Sequence, residues 1–174
     1  MQEKVSMAKR IVWLLGVGLA LAACSGRARG PSLCVNARQV TAEEVLAAKG
    51  KNLSGCQLIG VVLANAKLAG ADLGEALVQG GVFLQADLSG ANLAGAYVEN
   101  TAFNGAKLRR ANLQKARFPD SSLAEADLTG ANLQEADLRR ANLRGAILKG
   151  AKLEGALTDG ETICPDGERG PCRW

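Results

Sequence analysis

The sequence predicts an all-β solenoid, a chain wound into stacked coils, and three observations carry that expectation. A large apolar residue, usually leucine, returns at every fifth position from Leu53 to Leu153 without a slip in register. A small residue, most often alanine, stands two places before each of them from Leu58 onward, as the stretch ADLTGANLQEADLRRANL (126–143) shows, while Lys51 takes that place before Leu53. Glycine recurs at the end of the unit, at Gly70, Gly90, Gly130, Gly145, Gly150 and Gly155. A period of five is neither the 3.6 of a helix nor the 2 of a long strand, so it marks a repeat architecture. Within each unit the alanine and leucine point inward and the residue between them outward, which is strand alternation over three residues. Two more outward residues follow; a flat strand cannot hold them, so the chain turns a corner there, and glycine suits the second. Alanine stays small because large side chains from every wall would collide in the lumen.

The units Ala71-Asp72-Leu73, Ala91-Asn92-Leu93 and Ala131-Asn132-Leu133 resemble the A(D/N)LXX repeat of the pentapeptide-repeat family. The resemblance runs from Leu53 to about Leu157 and implies a right-handed quadrilateral β-helix. With four sides per coil, positions twenty apart stack. Asn92, Asn112 and Asn132 then form an amide ladder with Asn52 at its foot, and Lys67, Asp87, Lys107 and Asp127 form a column of alternating sign. The repeat, residues 53–157, gives about five coils and a rod roughly 25 Å long at strand spacing.

The ends need closing, because an open lumen and an unpaired last coil invite association. Residues 41–52 supply a short N-terminal helical cap: Thr41-Ala42-Glu43-Glu44 reads as a capping box, and Gly50 as a stop. Residues 158–174 form a turn-rich C-terminal cap. Residues 1–23 read as a signal peptide, with Lys4, Lys9 and Arg10 before an uncharged run too short to span a bilayer comfortably. Met7 is an alternative start. The run ends in Leu21-Ala22-Ala23-Cys24, which resembles a bacterial lipobox and implies acylation of Cys24. An ordinary secreted protein cut after Ala23, or an uncleaved anchor, is the alternative. Ser25 favours the periplasmic side of the outer membrane over the inner one, and residues 24–40 become a lipidated terminus and tether. Four cysteines then remain, Cys34, Cys56, Cys164 and Cys172, an even number in an exported chain. Three pairings are open. Pairing within each end is the expectation from position, and spacings of 22 and 8 without histidine fit zinc fingers poorly.

Composition excludes much chemistry. There is no histidine, the commonest general base and metal ligand. Asp72, Asp87, Asp127 and Asp137 recur before leucine, but on a convex, solvated face nothing splits their pKa values for acid–base work. No nucleophile set or phosphate loop is present, so no enzyme, cofactor or metal is expected. Without residues 1–23 the chain keeps 18 basic and 16 acidic residues, a net +2, which gives no case for a nucleic-acid partner. Some family members look like duplex DNA in shape and negative charge and bind topoisomerases; a nearly neutral exported chain departs from that pattern. The basic residues of the later repeats, including Lys107, Arg109, Arg110, Arg139, Arg140, Arg144 and Lys149, are expected to form a mixed solvated surface. Anionic envelope glycans or lipids are the alternative partners. Ile59, Val62, Leu77, Val82, Leu84 and Tyr97 are apolar at outward positions of the first coils, where a contiguous patch marks an interface. It faces an envelope protein or a second copy of the chain, or lies under the folded-back N-terminus. The expected function is a non-catalytic, membrane-anchored interaction scaffold in the cell envelope.

Overall fold

A computed structural model describes residues 39–48 and 52–174. The signal segment, Cys24, Cys34 and most of the tether fall outside these residues. From Asn52 onward the chain makes four columns of parallel pairs, each residue bridged to the one twenty positions ahead. One column runs Asn52, Asp72, Asn92, Asn112, Asn132, Lys152, and another Lys67, Asp87, Lys107, Asp127, Ile147. Among the described residues one wall has runs long enough to be strands: β1 (Gln57–Ile59), β2 (Leu77–Gln79) and β3 (Tyr97–Glu99), in that order in a parallel sheet.

The five-residue unit follows from an accounting of its N–H groups. In the unit from Ala91 to Gly95, Asn92 N–H donates back to Ala71 C=O at 2.9 Å, and Leu93 N–H donates forward to Asn112 C=O at 2.7 Å. Gly95 N–H reaches Gln114 C=O at 2.9 Å, and Ala96 N–H returns to Leu93 C=O at 3.0 Å, closing the corner. One donor is left, the N–H of the fourth residue, Ala94. The Asn92 side chain takes it, at 3.3 Å. Aspartate or asparagine at the second position is therefore a corner staple, an Asx turn built into every such unit. Pro119 occupies a fourth position, the one place where a missing N–H costs the ladder nothing. The fifth residue adopts a left-handed backbone throughout, with φ of 67° at Gly130 and 57° at Glu135, the latter a strain that glycine avoids.

Alanine and leucine positions line a dry lumen, buried in nearly every unit from Leu53 to Ala146. Phe83 and Phe103 sit one coil apart and stack with centroids 4.8 Å apart, and Phe118 meets Phe103 edge-on at 6.3 Å. The neighbouring small positions adjust to these rings: a Cβ on Gly81 would lie 2.9 Å from the Phe83 ring. Thr101 and Ser121, polar but buried, are satisfied along the axis. Gly81 N–H donates to Thr101 Oγ1 at 3.3 Å, and Thr101 N–H to Ser121 Oγ at 3.1 Å.

Both ends depart from the period. Before the first coil, α1 (Ala42–Ala47) carries the Thr41/Glu44 capping box and sends Val45 into the core, while Gln39 pairs with Gln57. Cys56 is buried and disulfide-bonded, its partner lying outside the described residues. At the far end the wall continues past Leu157, but Asn142 pairs with Ile163, a step of 21. The extra residue is taken up by a turn in which Asp159 Oδ1 accepts N–H bonds from Arg140, Glu161 and Thr162 at 3.0 to 3.1 Å. Thr162 and Cys164 thereby occupy an alanine and a leucine place, and both are buried. A disulfide joins Cys164 to Cys172, with Cα atoms 5.4 Å apart.

Candidate functional site

The walls differ in chemistry, and each difference traces to what stacks every twenty residues. On the wall of Asn52, amides form the ladder: Asn132 donates to Asn112 at 3.4 Å, Asn112 to Asn92 at 3.1 Å, and Asn92 to Asp72 at 2.7 Å. The shortest bond ends on the carboxylate, as charge-assisted bonds do. Asp72, absent from the expected ladder of Asn52, Asn92, Asn112 and Asn132, thus stands in it between Asn52 and Asn92. Gly74 beside it is buried, and a Cβ there would lie 3.0 Å from the Asn92 amide nitrogen.

The recurring aspartates are staples as well as solvated surface. Asp72, Asp87, Asp127 and Asp137 each accept the N–H two residues ahead, at 3.0 to 3.2 Å. The hydrogen bonds of the Arg139 side chain hold the Asp137 carboxyl below its ordinary 3.8; burial opposes this, and the Arg139 N–H and the Arg117 charge add to it. A bond from the Thr129 side chain does the same for Asp127, against burial and with help from Arg109. A lowered folded pKa gives stability that is complete above the unfolded value and lost as pH falls through the folded one. Urea midpoints are therefore expected to fall as pH drops below about 4, and Asp137→Asn to be less stable at neutral pH with a flatter decline. An equal slope in the variant would mean that this carboxylate is not among the linked groups.

The apolar residues singled out above lie on two adjacent walls. Register sets Val62 against Val82 and Leu77 against Tyr97, while Ile59 faces Gln79. Ile59, Val62 and Leu84 are exposed, at 40%, 62% and 39%; Leu77, Val82 and Tyr97 are half-buried. Tyr97 is partly engaged already, with the Arg117 guanidinium 5.6 Å above its ring. The wall of Val62 carries no charge over three coils, and in the fourth only at its corner, Glu125: Val62, Ala64, Val82, Leu84, Ala102, Asn104, Ser122 and Ala124 are its middle outward residues. Ile147 and Leu157, exposed near the other end, were not among the expected patch, because single residues in charged columns give no cluster signal.

Five of the ten cations of residues 105–157 meet carboxylates, Arg117 reaching Asp137 at 3.9 Å. Arg109 pairs with Asp127, Lys115 with Glu135, Arg139 with Asp137, and Arg140 with Asp120. In the depression lined by Asp120, Arg140, Glu161, Ile163 and Arg169, Arg140 pairs with Asp120 and Arg169 with Glu161.

A sequence profile of pentapeptide repeats matches eight copies over residues 50–80, 86–123 and 121–157. The chain belongs to the pentapeptide-repeat family. Pentapeptide-repeat proteins adopt a right-handed β-helix, the hand expected above. HetL, a pentapeptide repeat protein involved in heterocyst differentiation regulation from the cyanobacterium Nostoc sp. strain PCC 7120, is 31% identical over 68% of this chain and 70% of its own, with a TM-score of 0.49. A pentapeptide repeat protein of the Arabidopsis thaliana thylakoid lumen is 29% identical over 64% and 66%, with a TM-score of 0.32. QnrB1, a plasmid-mediated fluoroquinolone resistance protein, is 20% identical over 64% and 57%, with a TM-score of 0.36. No curated protein matches the chain.

Proposed function

We propose that this pentapeptide-repeat protein is a non-catalytic lipoprotein of the cell envelope, anchored through acylated Cys24 at the periplasmic side of the outer membrane. Its β-helix acts as a rigid scaffold that docks a partner protein. The observation that carries the docking role is the charge-free wall from Val62 to Ala124, continued around one corner by Ile59 and Leu77. An uncharged flat face on an otherwise heavily charged rod suits a protein partner, since charged residues are depleted at interface centres. The basic start, apolar run and lipobox-like Leu21-Ala22-Ala23-Cys24 support the anchor. The charge of residues 105–157, ten basic against six acidic, weighs against mimicry of DNA and a topoisomerase partner.

Photo-crosslinking in intact cells from position 122, on the same wall, tests the docking role. Val82→Glu is expected to remove the crosslinked partner while leaving thermal melting within a few degrees, as surface changes do. Crosslinks that persist unchanged in the variant mean that another face binds. Fractionation with Cys24→Ser tests the anchor: the protein is expected to leave the membrane fraction, and a wild type found soluble in the cytoplasm would overturn the envelope assignment.

A further inference from the structure

Three cations without a carboxylate partner lie along one edge, between the wall of Lys67 and the wall of Asn52, while Arg144, also unpaired among the described residues, stands apart on the wall of Val62. Arg110, Lys149 and Lys152 are exposed there, and none of them pairs with a carboxylate among the described residues. From residue 106 onward the two walls flanking this edge carry six basic and three acidic residues, against four and three on the opposite two walls through Gly145. The corner positions favour contact along the edge. Arg110 leans over Gly130, its Cγ 3.5 Å from where a Cβ would stand, and nothing lies within 4 Å of the same point at Gly150. A shallow track results, with Arg110 at one end and Lys149 and Lys152 two coils away, about 10 Å along the axis. Gln114 and Gln134, half-buried on the flanking wall of Asn52, offer amide groups not engaged in the asparagine ladder.

We propose that this edge binds an anionic polysaccharide, a glycan bearing carboxylates or sulfates. A straight track of separated cations fits a linear polyanion, and the amides of the flanking wall fit sugar hydroxyls. A lipid surface fits less well, because the single exposed Ile147 beside Lys149 gives little apolar area to insert. The site is distinct from the charge-free wall and is independent of what docks there.

The test uses the purified full chain in a neutral detergent, with polygalacturonate and heparin as probes and dextran as the uncharged control. Binding to both polyanions and not to dextran is expected, weakening steeply as salt rises. The triple variant Arg110→Gln, Lys149→Gln, Lys152→Gln is expected to bind at least tenfold more weakly, with an unchanged melting temperature. Arg117→Gln, Arg139→Gln, Arg140→Gln removes the same charge from the opposite edge and is expected to bind within about twofold of wild type. Equal losses in the two triple variants would reduce the effect to net charge and overturn the site. Failure of either polyanion to bind at low salt would overturn it too. So would a preference for phosphatidylglycerol over phosphatidylcholine vesicles without glycan binding, which would assign the edge to a lipid surface.

Discussion

Phe103→Ala is expected to destabilise the rod by about 3–5 kcal/mol, the range for deleting a buried aromatic ring. The ring is buried, stacks on Phe83 and meets the edge of Phe118, so its removal leaves two aromatic neighbours facing a void. Relaxation is restricted, because both adjacent coils are tied to this one by backbone bonds on every wall. Phe103→Leu, which restores the usual lumen residue, is expected to fall between wild type and alanine. Urea unfolding followed by far-UV circular dichroism gives the comparison, and a loss under about 1 kcal/mol for Phe103→Ala would mean that the lumen collapses onto the gap.

Ala111→Leu is expected to cost up to about 3 kcal/mol through overpacking. Ala111 stacks between Ala91 and Ala131, all three fully buried, so a longer side chain enters a lumen already filled by Leu108 and Leu113. Gln114→Leu adds apolar bulk to the same side on its outer surface and is expected to change stability by no more than about 0.5 kcal/mol. The pair separates inward from outward positions. If both changes were tolerated alike, the alanine column would not be a steric requirement.

Much of the fold is legible in the sequence because one unit repeats until chance is excluded. The inward pair and the corner follow from Leu53 to Leu153 read in steps of five, and the twenty-residue columns from the four-sided coil that the family resemblance implies. The alternation of Lys67, Asp87, Lys107 and Asp127 is a property of single letters at a fixed spacing, and those four residues are bridged in series. The role of the aspartates was harder to read. A carboxylate before a leucine looks like solvation until the N–H groups of the unit are counted and the fourth is found without a backbone acceptor. The shift at the C-terminal end was hidden for the opposite reason: with Thr158 the pattern stops, and no periodic signal tells that Thr162 and Cys164 resume it one residue late. The apolar wall was visible as letters, but its freedom from charge over three coils needed the columns. The unpaired cations needed side-chain geometry, since Arg109 and Arg110 are adjacent in sequence yet only Arg109 finds a carboxylate.

The corner that closes every fifth residue makes the rod behave like a dial. Removing twenty residues deletes one complete coil and leaves every column beyond it in line. Removing five turns everything beyond the cut by a quarter, so the charge-free wall of the first coils and the cation edge of the later ones change their mutual angle without losing a lumen contact type. The orientation between two faces of this molecule is thus set by residue count modulo twenty. A length change of one unit alters which surfaces can be engaged at once while leaving each surface chemically the same.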